Sequence, residues 1–339
     1  VDRPDKERTV PKSTTIGARE LCWVVTDGAA GNRRQALALA EALTPSIREI
    51  GIELRAPWSW VAPRLLPGGR LALGRDDESL LPPWPTLVIG CGRAAAWATR
   101  QIRRWSEGRT LAVQLLDPRI DPGHWDLVVA PKHDGLTGDN VLNPIGSLNP
   151  IDDAWLADGH AAFSHLAELP GPRLGVLVGG DRRGAPFDRA AAGAFVAAVR
   201  RRHAMDGGSV MVAASRRTPI ALLSLLREAF AGIPGLVWTG GTDGPNPYPG
   251  ILAWADRLVV TPDSVNMLSE ACATGAPVHT FASAPLDAKL GRFHAELRAA
   301  GLLHDIDAAT PPRQAPLRET AAIATEVRRH LGWPARQPP

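Results

Sequence analysis

The chain has 339 residues. A single hydrophobic core stops growing near ~250–300 residues, so two domains are the default. Its 45% apolar and 22% charged residues are ordinary for a globular protein and exclude a disordered or low-complexity chain. The net charge of +3 permits an acidic small molecule such as a nucleotide, or a membrane surface, and gives no reason to expect nucleic acid. Lysine occurs only at Lys6, Lys12, Lys132 and Lys289, which we read as genomic composition. Cys22, Cys91 and Cys272 lie far apart inside apolar runs, with no CxxC or Cys/His spacing for zinc. That usage fits a reducing cytosol, so a cytoplasmic location is expected, with peripheral contact to the inner membrane as an extension. No apolar stretch reaches the ~18–20 residues that span a bilayer. Residues 1–20 are polar, lack the apolar core of a signal peptide, and read as a disordered arm.

Taken in order, Leu21–Thr26 reads as a strand and Arg34–Leu43 as a helix. Thr86–Gly90 is a buried strand, Ala94–Trp105 a helix, and Thr110–Leu116 and Asp126–Ala130 are strands. This alternation argues a parallel sheet covered by helices on both faces, over residues 21–155. Asn143–Pro150 is rich in Pro, Gly and Asn. Residues 156–172 read as a linker, with a helical stretch at Ala161–Leu166 and a stop at Leu169-Pro-Gly-Pro172. Alternation restarts over 173–312. Strands are expected at Leu174–Val178, Ser209–Ala213, Leu236–Trp238, Arg257–Val260 and Pro277–Thr280, with helices at Asp188–Arg202, Pro219–Phe230 and Val265–Thr274. Residues 313–339 hold a last helix, Leu317–Leu331, that can pack back onto the first half, and a tail. The fold class is therefore α/β, with two Rossmann-like halves facing a cleft.

Six constellations follow strands, where ligands bind in such sheets. Thr26-Asp-Gly-Ala-Ala-Gly-Asn-Arg-Arg-Gln35 joins the first strand to the first helix. Its glycines Gly28 and Gly31 admit close approach, the helix start attracts anions, and Asp27, Asn32 and Gln35 add polar groups that a bare turn does not need. Gly90-Cys-Gly-Arg-Ala-Ala95 has the form of a dinucleotide fingerprint, with Asp117 downstream. It follows an internal strand, so close packing or a substrate contact by Arg93 is preferred to NAD binding. In Ala130-Pro-Lys-His-Asp134, His133 titrates near neutrality and Asp134 could orient or replace it, so either could be a general base; a solvated strand end is the alternative. Val178-Gly-Gly-Asp-Arg-Arg-Gly184 sets Gly179 and Gly180 beside Arg182, as a pyrophosphate cradle or a plain turn. In Ala214-Ser-Arg-Arg-Thr-Pro219, Ser215, Arg216 and Thr218 could bind phosphate, or Thr218 could cap a helix begun by Pro219.

The sixth run is the most specific. Thr261-Pro-Asp-Ser264 ends a strand, and Asp263 or Ser264 can cap the next helix. Asn266 and Glu270 then lie one turn apart on one helix face, where a carboxylate can accept both ribose hydroxyls of a nucleotide. Asp305-Ile-Asp307 is a tempting DxD metal motif but falls after the last expected strand, so it reads as chance and no metal or other cofactor is expected.

The run from Trp254 to Pro277 resembles the donor half of GT-B transferases of the MurG type. More closely, Leu21 to Gly301 resembles the family named for the plant mitochondrial fission factor ELM. The matching pieces are Thr26-Asp-Gly…Gln35, Pro131-Lys-His-Asp134, Gly179-Gly180, Ser215-Arg-Arg-Thr218 and Thr261-Pro-Asp-Ser…Glu270. The resemblance implies a GT-B fold with the nucleotide on the C-terminal half. By position Glu270 matches the ribose-binding glutamate, and Gly179, Gly180 and Ser215 match the phosphate and nucleotide loops. Gly28 to Gln35 matches the acceptor-side loop, with fewer glycines, so acceptor identity does not carry over.

The expected function is a metal-independent glycosyltransferase that uses a nucleotide-sugar substrate and a cell-envelope glycolipid or saccharide acceptor. Donor contacts fall to Gly179, Gly180, Arg182, Ser215, Arg216, Thr218, Asp263, Ser264, Asn266 and Glu270. Acceptor contacts fall to Gly28, Gly31, Asn32 and Gln35. His133, Asp134 or Asp27 would be the base. The alternatives are a non-catalytic adaptor at a membrane, as the plant relatives are associated with recruiting fission machinery, and a nucleotide-sugar epimerase. Trp58, Trp60, Val61 and Leu65–Leu66 form an apolar surface candidate that could touch membrane or acceptor lipid, or a buried loop.

Overall fold

The computed structural model describes residues 21–74, 77–182 and 184–332; the arm expected over 1–20 and the tail beyond 332 lie outside them. The first half runs β1 (Cys22–Thr26), α1 (Ala30–Leu43), β2 (Ile47–Gly51), α2 (Trp58–Val61), β3 (Leu87–Cys91), α3 (Arg93–Trp105), β4 (Leu111–Leu115), β5 (Leu127–Val129) and β6 (Val141–Leu142). All its strand pairs are parallel, in the order β2-β1-β3-β4-β5-β6. β1 and β3 are buried along their whole length because apolar layers cover both faces. One layer centres on Leu39, Ile89 and Val113, the other on Trp23, Trp97 and Trp125. In α3 the apolar side chains Trp97, Ala98 and Ile102 turn inward, and Arg103 and Arg104 sit in the last turn, where cations suit the helix dipole.

The second half runs α4 (Asp153–Ala162), β7 (Arg173–Val178), α5 (Arg189–Asp206), β8 (Ser209–Ala214), α6 (Ile220–Phe230), β9 (Gly235–Trp238), α7 (Tyr248–Trp254), β10 (Arg257–Val260), α8 (Val265–Cys272), β11 (Val278–Thr280), α9 (Ala288–Ala299), β12 (Leu303–Asp305) and α10 (Thr320–Leu331). Its sheet is again parallel, in the order β12-β11-β10-β7-β8-β9. α10 crosses back as expected: Ile323, Ala324 and Val327 join the first half's core, and Arg328 Nη2 donates to the carbonyl of Ala42 at 2.6 Å.

Several expectations need correction. Residues 156–172 are not a bare linker, since α4 runs from Asp153 and packs its buried Gly159 onto the Pro249 carbonyl at the start of α7, where any side chain would collide. The helix placed at Ala161–Leu166 is the end of α4 followed by a 3-10 turn. The last helix begins at Thr320, because Glu319 is committed to the amides of Ile145 and Gly146, both at 2.8 Å. Asp305 ends strand β12 rather than following the last strand, and it pairs with Arg298 while Asp307 pairs with Arg201. Thr218 does not cap α6; its hydroxyl bonds the Gly179 carbonyl, and Pro219 occupies the cap position.

Candidate functional site

Each sheet reverses its winding direction once, between β1 and β3 in the first half and between β7 and β10 in the second. Such a point opens a crevice at the carboxyl ends of the strands. At β1, Asp27 Oδ1 accepts from Asn32 Nδ2 at 3.0 Å and from the Ala29 amide at 3.2 Å, which shapes the turn into α1. Gly92 closes the other side at φ +96°, and a Cβ there would stand 2.7 Å from Asn32 Nδ2 and 2.8 Å from Asp27 Oδ2. The glycines of the fingerprint-like segment thus serve close packing, and Arg93 donates to the Ser59 carbonyl at 2.5 Å within the same half.

At the second switch point Asp263 ties a knot. Its Oδ2 accepts from the Gly180 amide at 3.2 Å and from Arg217 Nη2 at 2.8 Å, its Oδ1 accepts from Thr261 Oγ1 at 2.7 Å, and its carbonyl accepts from Arg182 Nη1 at 3.1 Å. The Gly179 amide donates to Thr261 Oγ1 at 2.8 Å. Glycine is required here: a Cβ on Gly179 would lie 2.2 Å from Asp263 Oδ1, and one on Gly180 would lie 2.1 Å from the Arg217 carbonyl oxygen. Both glycine amides are therefore committed internally. The donors left over are the amides of Val265 and Asn266 in the first turn of α8, which have no intrahelical partners. Ser264 caps that helix, accepting from the Met267 amide at 3.3 Å. Ser215 stays in its turn, its amide donating to Thr218 Oγ1 at 3.0 Å. Arg216 is exposed and makes no hydrogen bond or ion pair among the described residues.

Apart from the α10 crossing and the contacts of residues 145–149, side chains of the two halves meet at two places. In the first, Arg34 Nη1 reaches both carboxylate oxygens of Glu270 at 2.8 Å, and the Tyr248 hydroxyl donates to the same carboxylate. Gln35 Nε2 donates to Asn266 Oδ1 at 3.3 Å, and Gly31 admits Asn266 so closely that a Cβ would lie 2.1 Å from its Nδ2. Burial and the adjacent Glu270 hold the Tyr248 hydroxyl well above its ordinary pKa, so it stays a donor. For Arg34, burial lowers the pKa but Glu270 and Tyr248 together raise it by more, and it stays charged.

In the second, Lys289 Nζ lies 2.5 Å from Asp134 Oδ1, and Arg292 donates to the His133 carbonyl through Nη2 at 2.9 Å. The His133 ring packs edge-on against Phe293, with centroids 4.9 Å apart. Burial pushes the His133 pKa down to about 4, with Lys289, Arg292 and Arg182 adding to the effect and Asp134 opposing it. The ring is neutral at pH 7, and its Nδ1 has no hydrogen-bond partner among the described residues. The side chains of His133 and Asp134 are 3% and 1% exposed, whereas Asp27 is exposed at the rim.

The fold thus gathers Gly28, Gly31, Asn32, Gln35, Asn266 and Glu270 on one side of the interface and His133 and Asp134 on the other. Sequence reading missed the residues that answer them: Arg34, Tyr248, Lys289, Arg292, Arg217 and Thr261. Two carried a signal, since Tyr248 is the chain's single tyrosine and Lys289 one of four lysines. Among the described residues no group of three or more His, Cys, Asp and Glu could hold a metal ion, and no helix is long and apolar enough to cross a membrane.

Comparison with known proteins agrees with this architecture. At 13% identity and a TM-score of 0.51, the chain superposes on the UDP-GlcNAc 2-epimerase of Methanocaldococcus jannaschii, over 90% of this chain and 91% of that one. An Os79 variant from O. sativa in complex with UDP matches at 11% identity and a TM-score of 0.51, over 91% and 90%. These likenesses show the GT-B fold. In sequence, the Mitochondrial fission protein ELM1 of Arabidopsis thaliana is 31% identical over 284 residues, 74% of this chain. The chain spans 66% of that relative, just under two thirds of its length. The family model described as Mitochondrial fission ELM1 matches residues 30–331, and the chain belongs to that family.

Proposed function

We propose that the chain is a glycosyltransferase that moves a sugar from a nucleotide-sugar donor to a hydroxyl of a cell-envelope glycolipid or saccharide, at the cytoplasmic side and without a metal. One observation carries the reading: each sheet places a glycine loop at its switch point, and α8, which follows the Asp263 loop of the second half, sets Asn266 against Gly31 and Gln35 of the first. Ligands of such sheets bind there. The first amides of α8, with Arg182 and Arg217 beside them, offer partial and full positive charge to a leaving diphosphate. Asp27 is the exposed carboxylate across the cleft. As base it would take the acceptor hydroxyl proton while that oxygen bonds the sugar C1 and the C1–O bond to the diphosphate breaks. Glu270 suits ribose hydroxyls, and Arg34 occupies it in this conformation, so donor entry displaces that contact.

A second reading, a non-catalytic adaptor, is favoured by the same saturation: a carboxylate answered by Arg34 and Tyr248 already has a structural use. The test is a thermal-shift screen of the whole chain against UDP-, GDP-, CMP- and dTDP-sugars and NAD. A donor at a hundredfold excess over its Kd stabilises by about 2.7 kcal/mol. A shift with one nucleotide sugar is expected. No shift with any, on folded protein, favours the adaptor, and NAD alone would return attention to Gly90–Ala95. Conversion of a bound donor with no acceptor present would mark an epimerase.

A further inference from the structure

A cavity of about 360 Å³ runs beside α1. Its wall is one helix face, with Ala30, Arg33, Arg34, Leu37, Ala38 and Glu41 recurring at three- and four-residue spacing, and Gly28 of the first glycine loop, Pro150 and Arg216 complete it. A guanidinium carries five N–H donors in a planar fork. Arg33 commits Nε and Nη2 to Glu49 at 2.7 and 2.8 Å, which leaves Nη1 free. Arg34 holds Glu270 through Nη1 alone, which leaves Nε and Nη2. Arg216 has all five. Two of the three cations are thus anchored by carboxylates outside the cavity while they keep donors for something inside it. Leu37, Ala38 and Pro150 give the cavity an apolar part. Glu41, also without a partner among the described residues, is its one carboxylate.

We propose that this groove, which opens beside the Asp27–Gly31 loop, binds a phosphate or diphosphate group on an amphipathic molecule. Planar forks match phosphoryl oxygens bidentately, and the start of α1 adds to the positive field. Arg216, expected from sequence among the donor contacts, belongs to the groove. That this ligand is the acceptor rests on the transferase reading; its chemistry does not.

Inorganic pyrophosphate is the probe, titrated calorimetrically into the whole chain at low salt. Binding in the micromolar to millimolar range is expected, weaker at high salt. Arg216→Gln should weaken it about tenfold and Glu41→Gln should tighten it about threefold, as one charge-assisted contact or one repulsion is removed. Ser264→Ala, in the donor loop, should leave the Arg216-dependent part of the binding unchanged. No binding to the native chain, no effect of Arg216→Gln, or loss of the Arg216-dependent part in Ser264→Ala overturns the groove. Farnesyl diphosphate and UDP separate the sources. Arg216-dependent binding of the lipid, with UDP affinity indifferent to Arg216→Gln, supports the acceptor, whereas Arg216-dependent UDP binding overturns that assignment. If pyrophosphate binds the groove and no nucleotide sugar binds the chain, the donor reading fails and the groove stands.

Discussion

Replacing Arg34 by Met tests the interdomain contact most directly. The Glu270 side chain is 4% exposed and Arg34's is 46% exposed. Orphaning one partner of a fully buried ion pair costs about 3–5 kcal/mol, and an exposed pair is worth about 0.2–1. A pair buried on one side falls between, so Arg34→Met should cost about 2 kcal/mol. The Tyr248 hydroxyl remains on the carboxylate and keeps the loss below the upper figure. Glu270→Gln removes the charge but keeps an amide oxygen for Arg34, and should cost about 1 kcal/mol. In the double variant no charge is left buried, so Arg34→Met on that background should cost only about 0.5 kcal/mol, for a coupling of about 1.5. Urea unfolding followed by tryptophan fluorescence on all four proteins measures the cycle. Additivity within about 0.5 kcal/mol, or an Arg34→Met variant as stable as the native chain, refutes the argument.

Three further outcomes are expected. Burial depresses the pKa of His133 and His279 to about 4 and lowers that of His294, so the unfolded chain takes up protons first as the pH falls. Stability should then be whole above about pH 6.5 and fall toward pH 4, by up to about 1.4 kcal/mol per unit for each histidine, and a flat urea midpoint between pH 7 and 5 would contradict this. Gly180→Ala meets the rigid Arg217 carbonyl at 2.1 Å and should cost about 2–3 kcal/mol, whereas Gly31→Ala meets only the movable end of Asn266 and should loosen the interface at less than half that cost; melting curves of the pair decide. Trp60 is 75% exposed, so Trp60→Ser should leave stability within about 0.5 kcal/mol, and weaker flotation with anionic vesicles would mark it as a membrane contact.

Interior strands were legible because burial on both faces writes an apolar run, as in Leu87–Cys91 and Ser209–Ala214. The strands that escaped are edges or short. β2 reads Ile47-Arg-Glu-Ile-Gly51 with its charged pair exposed, and β6 and β12 have two and three residues. α7 was hidden by Pro249 and Gly250, which punctuate most helices, although the glycine lets Phe163 approach. α9 did carry signals, an Asp287 cap and apolar Leu290, Phe293 and Leu297 on one face, yet Gly291 and Lys289 diluted the pattern. For the candidate site, the residues flanking strand ends were visible and their partners were not. Arg34 and Glu270 are 236 positions apart, and His133 and Arg292 are 159 apart, so only the folded topology brings them together. Of the Trp58–Leu66 surface, Trp60 is the exposed large side chain, while Trp58 and Leu65 pack against the first core.

The polar residues that the sequence nominates as ligand contacts are largely committed to one another here. Glu270 and Asn266 hold α1, Asp263 holds the glycine loop, and Asp134 holds α9. A ligand that needs Glu270 must therefore compete with Arg34, and its apparent Kd rises by the inverse of the fraction of molecules with the contact open. If opening costs about 2 kcal/mol, that factor is roughly thirty. Arg34→Met removes the competitor, so a nucleotide sugar that uses Glu270 should bind the less stable variant more tightly than it binds the native chain. An adaptor in which the pair is purely structural predicts lower stability with no gain in nucleotide affinity. Stability and affinity moving in opposite directions on one substitution would separate a site held shut from a joint.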